Sequence, residues 1–208
     1  PIGGQGLNLG IQDAMNLGWK LAAHVQRRAP AGLLDSYHAE RHPVAARVIA
    51  LTRAQAVLMS PPPDADDLLA LREIVTELAR LPDTNRYLAG LMSGLNLRYD
   101  CDGSDPLVGS RVIDLSLQTP AGPTTISALL RPGRGLLLEL GEPPLPPPVL
   151  PPSVIWVRAR VLDSPVGTEL GTSPEIDRVL VRPDGYVCWV GTGPDSSPAS
   201  ALQRWFGE

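Results

Sequence analysis

Four glycines fall within the first ten residues, at Gly3, Gly4, Gly6 and Gly10, and a helical apolar pattern follows at once. Glycine lets a backbone approach a ligand closely and adopt dihedrals closed to other residues. Ile11, Ala14, Met15, Gly18, Leu21, Ala22 and Val25 recur at helical spacing. That pattern predicts a helix starting between Leu7 and Gly10, with Asn8 as its cap. The first turn of such a helix carries unpaired N–H groups and the positive end of the macrodipole. The chemistry within its reach is the holding of an anionic or electron-rich acceptor group. The blander reading is a loop–helix junction with glycines for tight packing, and the glycines alone do not separate the two. Asp13 falls early in the helix, where the dipole favours a carboxylate, so helix stability is its expected role.

Other side chains offer less. His38 and His42 stand four apart, a spacing that can bind zinc, but no Cys or third ligand is near in sequence and Pro43 disturbs the turn. Solvated helix-face histidines are the better reading, and His24 has no evident partner. Cys101 and Cys188 are far apart and form no C-x-x-C pair. Cys188 sits in an expected strand, where a buried small hydrophobe is the natural role, and Cys101 sits in an expected linker. Pro143 to Pro152 holds seven prolines and predicts a stiff extended loop; a P-x-x-P ligand is the weaker reading. No Ser-His-Asp set, phosphate loop or basic stripe stands out.

These residues need elements to hold them. A chain of 208 residues with 43% hydrophobic content suits one or two domains with a core. A net charge of −4 argues against nucleic acid or an anionic membrane as partner, and no apolar run approaches a membrane span. Two distant cysteines suit a reducing compartment, so a cytoplasmic setting is expected.

The first hundred residues read as helical. A second helix runs from Leu33 towards Met59, with Pro43 expected to kink or restart it. Leu68, Leu71, Val75 and Leu78 form the apolar stripe of a third, and Thr84 to Leu95 form a fourth. From Leu107 the period changes. Strands are expected at Val112–Leu117, Gly135–Leu140 and Val154–Val161, with a short helix at Ile126–Leu130. Asp177–Val181 and Tyr186–Val190 flank Arg182-Pro183-Asp184-Gly185 as a hairpin, and a last helix follows Ser197 and Pro198.

The string Pro1-x-Gly-Gly-Gln-Gly-Leu-Asn-x-Gly-x-Gln-Asp-Ala-x-Asn-Leu-x-Trp-Lys-Leu-Ala22 resembles the third flavin-binding motif of the group A FAD-dependent aromatic hydroxylases, nearest the polyketide and phenol type. Leu33-Leu34-Asp35-Ser36-Tyr37…Glu40-Arg41, Ser93-Gly94…Arg98-Tyr99 and Val181-Arg182-Pro183-Asp184-Gly185-Tyr186-Val187 resemble later strings of the same family, in the same order. The resemblance implies an α+β protein in two parts. Residues 1–102 would be the C-terminal part of the FAD-binding helical region, and residues 103–208 a thioredoxin-like domain lacking C-x-x-C. It implies FAD as cofactor, NAD(P)H as reductant, O2 activation at the flavin and hydroxyl transfer to an aromatic or polyketide substrate. It places Pro1, Gly3, Gly4, Gly6, Leu7 and Asn8 against the flavin, with the N–H groups of Gly6, Leu7 and Asn8 facing its N1–C2=O edge. None of these is a proton-transfer group, and no catalytic residue or metal ligand is assigned. Homodimerisation is a family-level expectation.

The family's G-x-G-x-x-G turn, its middle Asp-Gly motif and its Gly-Asp pair are not found in the chain. FAD binding is therefore expected to need an N-terminal FAD-binding domain. The competing reading is a non-catalytic relic or interaction module with a redox-inactive thioredoxin-like domain.

Overall fold

The computed structural model describes residues 4–59, 66–141, 149–163 and 176–207. The chain divides into two compact units. One joins Pro1–Ala14 to His38–Leu97, and the other joins Met15–Tyr37 to Arg98–Glu208.

The first unit is helical. It takes the opening turns of α1 (Gln5–Val25), most of α2 (Asp35–Met59), and all of α3 (Asp66–Arg80) and α4 (Pro82–Ser93). The boundaries of α4 follow from sequence. Pro82 opens it where an N–H would go unpaired anyway, and Gly94 closes it in the left-handed conformation at φ 73°. Asn96 folds back over its last turn, donating to the Tyr87 carbonyl at 3.2 Å. Gly90 must be glycine there, because a Cβ would come 2.1 Å from Asn96 Oδ1. α2 runs as one helix through Pro43, so the expected restart does not occur. In α3 no residue is buried, and Leu71 and Leu78 of the expected core stripe are exposed.

The second unit carries the β structure. β1 (Ser116–Thr119) and β2 (Gly122–Thr125) form a hairpin, and β5 (Arg160–Asp163) pairs with β1 on its other side. The second sheet has the order β4–β3–β6–β7, with β4 Val154–Arg158, β3 Gly135–Glu139, β6 Arg178–Val181 and β7 Val187–Gly191. β3 and β4 are parallel; the other pairings are antiparallel. All five β3 residues are buried, as a continuous apolar run in a central strand requires. Leu115, Leu117, Ile126, Leu136, Leu138, Val179, Val181 and Val187 make the core. Thr125 caps the short α5 (Ile126–Leu130), accepting from the Ala128 N–H. α6 (Ala199–Phe206) buries Ala201, Leu202, Trp205 and Phe206. Gly135 leaves room for the Phe206 ring, which a Cβ would meet at 2.4 Å.

Two strand expectations need correction. The pairing that was expected over Val112–Leu117 starts only at Ser116. The run Val154–Val161 is not one strand. It divides at Ala159 into β4 and β5, which belong to different sheets. An apolar run shows that a segment is buried without showing which sheet it joins. The 182–185 hairpin is as expected, with Gly185 supplying φ 83°.

Candidate functional site

The glycine-rich start was expected to cradle an acceptor group. Gly4, at φ 59°, ends the loop, and α1 begins at Gln5, earlier than the apolar period suggested. Asn8 is therefore inside the first turn and is not its cap. With α1 beginning at Gln5, the N–H groups of Gly4, Gln5, Gly6 and Leu7 are the four that an α-helix leaves without an internal partner, and Asn8 is the first position whose N–H bonds back along the helix. Gly4, Gly6, Leu7 and Asn8 are exposed, and a Cβ built on Gly4, Gly6 or Gly10 meets nothing within 4 Å. Pro1 and Gly3 lie outside the described residues.

Arg41 of α2 grips this part of α1. Its Nε donates to Asp13 Oδ1 at 2.6 Å, its second nitrogen to Gln12 Oε1 at 3.4 Å, and its third to the Leu9 carbonyl at 3.5 Å. Arg41 is 3% exposed. Asp13 is thus the partner of a buried cation, a more specific role than the helix-dipole one expected from its position. The sequence carries no local signal for Arg41, because its partners lie about thirty positions upstream. α1 needs such a partner: glycines at 6, 10 and 18 weaken it as a helix, and Leu7, Ile11 and Met15 are exposed.

A second polar cluster lies inside the β-rich unit. Arg182 is fully buried and makes a two-point contact with Asp184, Nε to Oδ1 at 3.0 Å and a terminal nitrogen to Oδ2 at 2.5 Å. Asn16 Nδ2 of α1 donates to the same Oδ2 at 3.2 Å. Trp19, Tyr99, Tyr186 and Trp205 surround the guanidinium, with ring centroids 4.4–5.9 Å from its carbon. Lys20, also fully buried, lies beside the Trp19 ring. Rings over a desolvated guanidinium replace part of its lost hydration. Residues from three separate strings thus meet in one place: Asn16-Trp19-Lys20, Tyr99, and Arg182-Asp184-Tyr186. No spacing signal could reveal this, because the contacts join residues 168 positions apart.

The remaining candidates are bland. His38 and His42 stack at 4.9 Å, and no group of three potential metal ligands occurs among the described residues. Cys188 is buried, and burial pushes its thiol well above the ordinary range while Arg182 opposes the rise. Its Sγ donates to the Leu180 carbonyl at 3.4 Å, as suits a strand-core cysteine. Cys101 is buried as well, which its expected linker position did not suggest. Glu139, at the end of β3, is fully buried; it accepts from Trp156 Nε1 at 2.9 Å and faces Arg158 and Arg178. The proline run lies mostly outside the described residues.

The FAD binding domain family matches residues 1–52, and the aromatic-ring hydroxylase C-terminal family matches residues 105–208. The chain is 46% identical, over its whole length, to a 12-dehydrotetracycline 5-monooxygenase/anhydrotetracycline 6-monooxygenase of Streptomyces rimosus, and spans 41% of that relative. It is 43% identical to a dialkyldecalin synthase of Streptomyces rugosporus, again over all of this chain and 39% of the relative. Among solved structures it is similar to CabE, an aromatic hydroxylase from angucycline biosynthesis. That likeness has a TM-score of 0.86 and 42% identity, and it covers 100% of this chain and 42% of the other.

Proposed function

The chain belongs to the aromatic-ring hydroxylase family, and we propose that it forms the flavin-facing loop and C-terminal part of an FAD-dependent monooxygenase acting on an aromatic or polyketide substrate. The observation that carries this reading is the start of α1, where four unpaired N–H groups and uncrowded glycines lie together. An anionic or electron-rich ring edge is what such a donor set fits. FAD, when bound, supplies hydride acceptance from NAD(P)H and activation of O2 for hydroxyl transfer. The part of this chain is to bind and orient. Gly6 and Leu7 present backbone donors, Gly4 and Gly6 permit close approach, and Pro1, Gly3 and Asn8 are taken with them as cofactor-binding residues. Arg41 fixes the turns behind them through Asp13. No proton-transfer group is assigned to this chain, and the ADP-binding turn belongs to an N-terminal FAD-binding domain.

We take residues 103–208 as a thioredoxin-like domain. Its support is the parallel β4–β3 pair beside the antiparallel β6–β7 hairpin. Its role is packing or homodimerisation rather than thiol exchange. Residues 1–102 then close the FAD-binding region. No described helix is long and apolar enough to cross a membrane, and a cytoplasmic setting suits the two free cysteines.

A second reading comes from the dialkyldecalin synthase relative, whose name describes ring formation. A flavin held as scaffold would serve it without net oxidation.

Gly6→Val in the full-length protein separates these from a non-catalytic module. The structure leaves open space at Gly6, so the variant should fold, yet its side chain would stand among the donors. Weakened FAD binding in the variant, with wild-type coupling of NAD(P)H and O2 consumption to hydroxylated product, is the expected result. FAD retention without NAD(P)H consumption would favour the ring-forming reading. Equal FAD binding by both proteins would sink the loop assignment.

A further inference from the structure

α1 buries a polar stripe and exposes apolar side chains. Beyond its first turn the buried residues are Asn16, Trp19, Lys20 and Ala23, at i, i+3, i+4 and i+7 spacing. Half of that stripe is polar, while Ile11, Met15, Leu21 and Val25 of the same helix stay exposed. The stripe meets the β6–β7 turn and α6. Asn16 Nδ2 donates to Asp184 Oδ2 at 3.2 Å, the Arg182 guanidinium lies 5.4 Å from the Trp19 ring, and the Trp19 and Phe206 rings are 6.2 Å apart. Asp184 is itself fixed by Arg182 through both carboxylate oxygens. All these groups belong to one compact unit. The helix does not stop at its edge: α1 runs unbroken from Asn16 back to Gln5. Gly6 then lies about 15 Å along the axis from Asn16. Gly6 and Gly10 are poor helix formers, and a Cβ on either meets nothing within 4 Å, so crowding does not hold these turns in place.

Resting on the flavin reading above, we propose that Asn16 and Asp184 are positioning residues for the flavin loop. The Asp184 turn of the C-terminal domain holds α1 in one register, and the helix carries that register to its glycine-rich start. An apolar face slides or turns at little cost, because any apolar neighbour serves it. A buried amide on a buried carboxylate serves in one position only, since any other leaves both groups unpaired. The C-terminal domain thereby acts on the cofactor through α1, and needs no thiol chemistry to do so.

The test uses the full-length protein with Asn16→Leu, which keeps the branched shape and removes the donor, leaving the Arg182–Asp184 pair and the four rings in place. Leu138→Ala is the control. It destabilises the same unit from a core cluster that contains no α1 residue. FAD affinity of Asn16→Leu should fall about fivefold or more, the low end of coupling between separate sites. At saturating FAD the visible circular dichroism of the bound oxidised flavin should change shape, which a loss of stability alone does not produce. Leu138→Ala should melt lower, yet bind FAD within about twofold of wild type and with the wild-type flavin spectrum. Asn16→Ser, which leaves no apolar group facing Asp184, carries the same test if Asn16→Leu does not fold.

If wild type binds FAD and Asn16→Leu matches it in affinity and spectrum, this proposal fails and the flavin reading stands. Lower affinity with an unchanged spectrum also overturns it, because the loop then presents the same surroundings to the ring. If Leu138→Ala shifts affinity and spectrum as far as Asn16→Leu does, the link acts only through stability and the proposal is lost. If wild type does not bind FAD, both readings fail.

Discussion

β3 and α3 are both leucine-rich, yet every residue of β3 is buried and none of α3 is. The β-rich unit closes its own core around Leu115, Leu117, Leu136, Leu138, Val179 and Val181. In the helical unit, Leu7, Ile11, Leu71, Ile74 and Leu78 remain exposed. Exposed apolar side chains are ordinary when single, but on α3 they form a stripe at helical spacing that the described residues leave uncovered. Hydrophobic pattern tells which residues want burial; it does not tell what buries them. The contrast extends to buried charge. Arg182 is locked by an acid that Asn16 also holds and by four rings, whereas Asp13, the acid paired with Arg41, keeps 31% of its side chain exposed.

The largest expected effect is at Arg182. Arg182→Ala leaves Asp184 as an uncompensated buried charge and empties the aromatic box. Breaking such a pair costs about 3–5 kcal/mol. Urea unfolding monitored by tryptophan fluorescence should report it, since Trp19 and Trp205 line the box. A cost near zero would mean that the cluster is wetter and looser than its burial indicates.

Leu138→Ala comes next. It removes a fully buried side chain from the centre of the core and should cost about 2–4 kcal/mol, within the usual range for a cavity of this kind. Arg41→Met should cost about 1–3 kcal/mol, because it strands a carboxylate that water can partly reach. Its effect should also be local. Amide hydrogen exchange should accelerate across the first turns of α1, while β3 and β6 remain protected. Faster exchange throughout the chain would make Arg41 a core residue and erase the contrast between the two regions.

A smaller, pH-dependent effect falls on Cys188. Burial is the main cause of its raised thiol value, with Arg182 opposing and Cys101 and Asp184 adding to the rise. The folded thiol therefore stays protonated where the unfolded one has already ionised. Above the unfolded thiol's ordinary value of about 8.5, the unfolded state binds fewer protons, so stability falls as pH rises, by at most about 1.4 kcal/mol per pH unit. Cys188→Ala should remove that part of the slope above the unfolded thiol's value of about 8.5. An unchanged slope would mean that the thiol ionises alike in both states.

What the sequence made legible follows the same division. The Arg182–Gly185 turn, Thr125 with α5, and the apolar run of β3 were readable because their signals are local: a Pro-Asp-Gly turn, a capping hydroxyl, a buried run. The glycine loop was readable as a loop running into a helix, but that helix starts earlier than the apolar period implied, at Gln5. Arg41 and the Arg182 box were missed because their partners are distant in sequence. The division at Ala159 was missed because both halves of the run are equally apolar.

The smallest effect tests the comparison most sharply. Ile74 is 56% exposed on a helix that buries nothing. Ile74→Ala should therefore change the stability of this chain by less than about 0.5 kcal/mol, as for surface sites without special contacts. Alanine's better helix propensity offsets part of the lost contact. Chemical denaturation followed by helical circular dichroism, with Leu138→Ala as the paired control, decides it. A cost matching that of Leu138→Ala would give α3 a hidden core and remove the distinction. A near-zero cost in this chain that becomes large in the full-length protein would show that the α3 face is covered there. The exposed stripe would then be an interface rather than a surface, and the leucines of α3 and β3 would serve the same purpose in different settings.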